Sequence, residues 1–89
     1  MSTPKTPSED RLAITGRQCK AARALLGWDQ EELARRSGVA RPTITNFENG
    51  KRVPISATLN QIVRSFMSNG IEFVSSTDEQ SKGVILRIA

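Results

Sequence analysis

Gly38 falls between two short helical patterns, Gln30 to Ser37 and Arg41 to Asn49, and leaves only a few residues for the turn that joins them. The first pattern opens with Asp29 at the N-cap, Glu32 in the first turn, and Trp28 placed to staple onto Leu33. Leu33 and Ala34 point inward, while Glu31, Arg35 and Arg36 point outward. First-turn acids and last-turn arginines suit the helix dipole, and Gly38 is the C′ residue. In the second pattern Val39 staples onto Ile44, Pro42 is tolerated in the first turn and Gly50 closes the helix after Asn49. Its N-cap position holds Ala40, which has no side-chain acceptor for the first-turn amides, a loss of about 1 kcal/mol.

The same signals extend to either side. Thr15 and Gln18 have capping-box spacing, Ile14 can staple onto Cys19, and Gly27 ends a helix whose apolar face carries Cys19, Ala22, Leu25 and Leu26. Cys19 reads as a small buried hydrophobe. After a linker from Lys51 to Ile55, Ser56 is the expected N-cap of a further helix. There Leu59, Ile62, Val63, Phe66 and Met67 form an amphipathic stripe of core residues and Gly70 is the stop. Beyond Gly70 the pattern becomes strand-like, Ile71 to Val74 and then Val84 to Ile88, with a polar loop through Asp78 and Lys82 between them. Two isolated strands are marginal in water, so this β-hairpin must lie on the helices, pair with a second copy, or both.

Eighty-nine residues supply one hydrophobic core. The expected fold is mainly α: a helix-turn-helix bundle of four to five helices over residues 12–70, preceded by a flexible tail (1–11) and followed by the hairpin (71–89), expected to be a dimerisation element.

The chain has 13 basic and 9 acidic residues, a formal net charge of +4, one cysteine and no histidine. Between Leu33 and Ile71 the charged residues are Arg35, Arg36, Arg41, Lys51, Arg52, Arg64 and one acid, Glu48, a basic stretch that favours an anionic partner. One cysteine forms no intramolecular disulfide, which suits a reducing cytoplasm, and no apolar run approaches the roughly 18 residues of a membrane span. Without histidine the usual general base and zinc ligand are missing, and Cys19 has no second ligand at C-x-x-C spacing. No enzyme, metal or cofactor is expected.

With Ile44 and Phe47 directed inward, the second helix of the pair presents Arg41, Pro42, Thr43, Thr45, Asn46 and Asn49. This face carries hydrogen-bonding groups and no acid, as a helix entering a polyanionic major groove requires. Arg41 suits guanine and Asn46 adenine, since each can make two parallel hydrogen bonds to that base. A phosphate or base-edge contact would compensate for the weak cap at Ala40.

The stretch Leu26-Gly27-Trp28-Asp29-Gln30-Glu31-Glu32-Leu33-Ala34, then Ser37-Gly38-Val39, Ile44 and Phe47-Glu48-Asn49-Gly50, resembles the Xre/Cro/cI family of helix-turn-helix regulators. The likeness runs from Gln18 to Met67. It implies that Gln30 rests on a DNA phosphate at a helix N-terminus, with Thr43, Asn49, Lys51 and Arg52 as further backbone contacts. It implies that the positions of Ala40, Arg41, Pro42 and Asn46 read bases, with Thr45 as an additional candidate. It also implies that Glu48 pairs with Arg23 in a structural ion pair. Two departures stand out: Ala40 replaces the commoner polar cap, and a strand pair follows where many relatives continue in helix.

The expected function is a transcriptional regulator, a repressor rather than an activator, binding a pseudo-palindromic double-stranded operator as a homodimer in the cytoplasm at the nucleoid. The alternative is an antitoxin-type interaction protein that neutralises a protein partner such as a toxin and binds DNA to autoregulate.

Overall fold

The structure, a computed structural model, describes residues 14–75 and 82–87. Among them are four helices, α1 (Gly16–Leu26), α2 (Gln30–Ser37), α3 (Arg41–Glu48) and α4 (Ser56–Met67), then strands β1 (Ile71–Ser75) and β2 (Lys82–Leu86). The expected N-terminal tail lies outside the described residues, as do Asp78 and Ile88. No described helix is long and apolar enough to cross a membrane.

Local chemistry sets most of the helix ends. Thr15 accepts from the Gln18 amide at 3.1 Å while the Gln18 side chain accepts from the Thr15 amide at 2.9 Å, a reciprocal capping box. Asp29 caps α2 through the Glu32 amide at 2.8 Å. Gly27 and Gly38 close α1 and α2 with φ of 71° and 76°, a left-handed backbone that a side chain disfavours. At α4 the N-cap is Ile55, one residue before the expected Ser56, and it makes no side-chain cap. Packing of the apolar stripe, rather than a cap, holds this helix.

The helices enclose a core in which Leu33, Ile44, Ile62, Val63 and Phe66 are inaccessible to solvent. Burying a side chain such as Phe66 is worth about 1.5–3 kcal/mol. Its ring stacks on Trp28 with centroids 5.7 Å apart and meets the Phe73 ring edge-on at 5.9 Å, so the hairpin and the α1–α2 turn share one aromatic anchor.

Two residues assigned to the core lie outside it. Leu25 and Met67 are 46% and 54% exposed. At 100° per residue, Cys19, Ala22 and Leu26 centre the buried face of α1 and Leu59, Ile62, Val63 and Phe66 that of α4. Leu25 and Met67 sit roughly a quarter-turn from those centres, where the neighbouring elements do not reach.

The hairpin is antiparallel, with Ile71 opposite Leu86, Phe73 opposite Val84 and Val74 opposite Gly83. β2 begins at Lys82, two residues earlier than the sequence pattern suggests, so Lys82 and Gly83 belong to the ladder and not to the loop. Ile71 is buried, and Phe73, Val84 and Leu86 pack against the core. Gln18 of α1 ties the ribbon down, its amide donating to the carbonyls of Gly83 at 3.0 Å and Val74 at 3.3 Å.

Candidate nucleic-acid interface

α2 and α3 meet across the Gly38 turn, in which the buried Ser37 hydroxyl accepts from the Val39 amide at 3.2 Å. α3 begins after Ala40 without a side-chain cap, with Pro42 in its first turn, and runs to Glu48, with Asn49 as the C-cap. Ile44 and Phe47 are buried beneath it. On its other side Ala40, Arg41, Pro42 and Asn49 are exposed, whereas Thr43, Thr45 and Asn46 are half-buried.

The linker after α3 folds back on the helix. The Asn46 carbonyl accepts from the amides of Lys51 at 2.8 Å and Arg52 at 3.3 Å, a reversal made at Gly50, where φ is 77°. Lys51 and Arg52 are exposed beside the end of α3. Their backbone is thus held in one place by the helix itself.

Beneath this surface lies a connected polar network. Arg23 of α1 grips Glu48 with two parallel hydrogen bonds, Nε to Oε2 at 2.8 Å and Nη2 to Oε1 at 2.7 Å, and its Nη1 donates to the Trp28 carbonyl at 3.0 Å. The Cys19 thiol donates to Glu48 Oε2 at 3.1 Å and the Gln30 amide to Oε1 at 3.1 Å. Thr45 donates to the Gln30 carbonyl oxygen at 2.7 Å. The Glu48 side chain is only 2% exposed, so four donors saturate a carboxylate that water scarcely reaches.

Burial alone would raise the Glu48 carboxyl, but hydrogen bonds from Arg23, Cys19 and Gln30 outweigh it and hold the group below its ordinary range. The same pairing raises the Arg23 guanidinium. Burial, followed by the hydrogen bond to Glu48, pushes the Cys19 thiol far up, so it stays protonated and donates.

Of the sequence-derived site residues, Arg23 and Glu48 are therefore in direct contact, and Gln30 and Thr45 are joined to them. The intramolecular bonds of Gln30 and Thr45, and the thiol bond of Cys19, had no signal in the spacing. Each spans elements whose relative placement only the packed fold supplies. Cys19 is buried as expected but is also a polar partner.

Part of the basic stretch is paired with acids of α2. Arg35 and Arg36 both pair with Glu32, and the Arg36 guanidinium lies 4.5 Å over the Trp28 ring. Arg41, Lys51 and Arg52 are the basic residues of α3 and the linker that follows it. Arg41 has an acidic neighbour in Glu31 of α2, at 3.8 Å with both side chains exposed.

The helix-turn-helix family model matches residues 20–66, which contain the network from Arg23 to Glu48 apart from its Cys19 donor. The chain is 30% identical over 74 residues to the uncharacterized HTH-type transcriptional regulator y4dJ of Sinorhizobium fredii, an alignment covering 83% of this chain and 96% of that protein. With the family model spanning more than half of its length, the chain belongs to the Xre/Cro/cI-like helix-turn-helix family of DNA-binding transcriptional regulators.

Proposed function

We propose that the chain represses transcription by binding a pseudo-palindromic double-stranded operator as a homodimer, with α3 in the major groove. The observation that carries this reading is the disposal of charge on α3. Its single acid, Glu48, is turned inward and neutralised by Arg23, while Arg41 is exposed at its start and Lys51 and Arg52 just past its end. A polyanion meets cations and polar groups along the whole helix. Arg41 and Asn46 read base edges, Ala40 and Pro42 offer apolar contact, and Gln30, Thr43, Asn49, Lys51 and Arg52 hold the backbone.

Half-site centres lie about 10 bp or a multiple of it apart, as two symmetry-related helices on one face of B-DNA require. The outward face of the hairpin supports pairing of two copies through that ribbon. Val74 and Ile85 are 38% and 43% exposed there, while the opposite face is spent on the core. Ile85→Lys should leave the fold intact and convert a dimer to a monomer in analytical ultracentrifugation. The same two residues suit a protein partner in an antitoxin reading, which a second protein retained through purification, and lost in Ile85→Lys, would favour.

Arg41→Ala and Lys51→Ala separate the two kinds of contact in a mobility-shift assay at fixed salt. Arg41→Ala should relax base preference at one operator position. Lys51→Ala should weaken all duplexes alike and lower the salt slope by about 0.9. Binding of a selected operator by both variants at wild-type strength would show that α3 does not dock in this way.

A further inference from the structure

The hydrogen bonds under α3 have a polarity, and it decides what Thr45 can offer to DNA. At the inner end is the Glu48 carboxylate, which only accepts. It already receives two bonds from Arg23 and one from the Cys19 thiol. The Gln30 side chain lies between this carboxylate, at 3.1 Å, and the Thr45 hydroxyl, at 2.7 Å. A carboxylate oxygen cannot donate, so the group that Gln30 turns toward it must be the NH2. The Gln30 carbonyl oxygen is thereby turned to Thr45, which must give it the one proton a hydroxyl has. A threonine inside a helix commonly spends that proton on the carbonyl of the preceding turn. Thr45 spends it across to α2, and what its oxygen retains for any other group is lone pairs.

We propose that Thr45 is an acceptor-only reader of DNA. It takes a hydrogen bond from an exocyclic amino group in the major groove, N6 of adenine or N4 of cytosine, and disfavours guanine and thymine at that place. The inference rests on the reading of α3 as the base-reading helix, where Thr45 lies one turn beyond Arg41 and next to Asn46. The preference follows from the groove: the major-groove atoms of guanine, N7 and O6, and the thymine O4 accept and cannot donate. Phosphate oxygens cannot donate either, so Thr45 is excluded from the backbone contacts. Gln30 keeps one amide hydrogen beyond the bond to Glu48, and the phosphate role of Gln30 remains open to it. Gln30 is thus a positioning residue for Thr45, and Glu48 fixes the orientation of Gln30.

The test uses the full chain and an operator selected from random duplexes. Each adenine is replaced in turn by purine and each cytosine by 2-pyrimidinone, bases that lack only the amino group. At one position in each half-site the replacement should weaken the wild type about five- to tenfold, the loss of one hydrogen bond. Whether that position responds as adenine or as cytosine identifies the donor. Thr45→Val should bind both forms equally, and Thr45→Ser should restore the difference. Gln30→Leu returns the proton to Thr45 and should accept guanine or thymine at that position. A wild type that selects an operator yet shows no amino group coupled to Thr45 in this way overturns the inference and leaves the docking of α3 standing. A wild type that selects no operator overturns both.

Discussion

Arg23 of α1 and Glu48 at the end of α3 form a two-bond ion pair, at 2.7 and 2.8 Å, between side chains that are 14% and 2% exposed. It joins α1 to the last turn of α3. Taking one partner away leaves the other charge buried without compensation, which typically costs about 3–5 kcal/mol. Glu48→Leu and Arg23→Met should therefore each destabilise the chain by an amount near the lower end of that range, given the partial exposure of Arg23. The double variant should be more stable than either single one. Urea denaturation followed by circular dichroism measures all three, and a double variant as unstable as the sum of the singles would contradict the pairing argument.

The same carboxylate gives the fold an acid limit. Its folded pKa lies below the ordinary value of 4.5 because the hydrogen bonds it accepts outweigh its burial. A depressed folded pKa contributes stability that is fully present above the unfolded value and is lost as pH falls through the folded one. Thermal stability should thus hold at neutral pH and decline once pH drops below about 4. In Glu48→Gln that part of the decline should vanish, in scans at a series of pH values.

Gly16 is irreplaceable for a steric reason. A Cβ built there would stand 2.1 Å from the Phe47 carbonyl oxygen and 3.0 Å from the Glu48 Cα, both backbone atoms that cannot swing aside. Gly16→Ala would push the start of α1 away from the end of α3 and strain the Arg23–Glu48 bridge behind it. The expected loss is about 1–3 kcal/mol, the usual range for overpacking. Each kcal/mol lowers Tm by roughly 4–8 °C in a domain of this size. Differential scanning calorimetry reads it directly, and DNA affinity at low temperature should fall as well.

Glu31 of α2 lies 3.8 Å from Arg41, with both side chains exposed. Such a pair contributes little to stability, but in the proposed docking of α3 it competes with DNA for the guanidinium and sets a negative charge near phosphates. Glu31→Gln should leave the melting temperature unchanged and tighten operator binding roughly two- to fivefold at low salt. The gain should shrink as salt rises, in a fluorescence anisotropy titration.

Much of the fold was legible in the chain itself because its determinants are local. Thr15, Asp29, Gly27 and Gly38 set helix ends through bonds and dihedral angles within a few residues of themselves. Ile44 with Phe47, and Leu59 with Ile62, Val63 and Phe66, followed the helical period, and the buried faces came with them. The alternation after Gly70 announced a hairpin. The outward side of α3, with Arg41 exposed on it, was legible for the same reason: a face is a periodic property. The partnership of Arg23 with Glu48 was different in kind, since only likeness to a family suggested it.

Tertiary structure alone decided the relations between elements. Gln18 bonds to Val74 and Gly83 across 56 and 65 positions of sequence, and Cys19 and Arg23 meet Glu48 across 29 and 25. Nothing in the spacing of such residues marks them, because the partner arrives only when another element packs alongside. Leu25 and Met67 show the converse: each is apolar and at the edge of a stripe, and the reach of neighbouring helices left both in water. The sequence by itself determined the start of α1 and α2 and their glycine stops, through hydrogen bonds and steric limits within a turn or two, and the apolar helix faces through their period. The packed fold decided which polar atoms share a proton, and so turned Gln30 and Thr45 from two separate contacts into one directional chain.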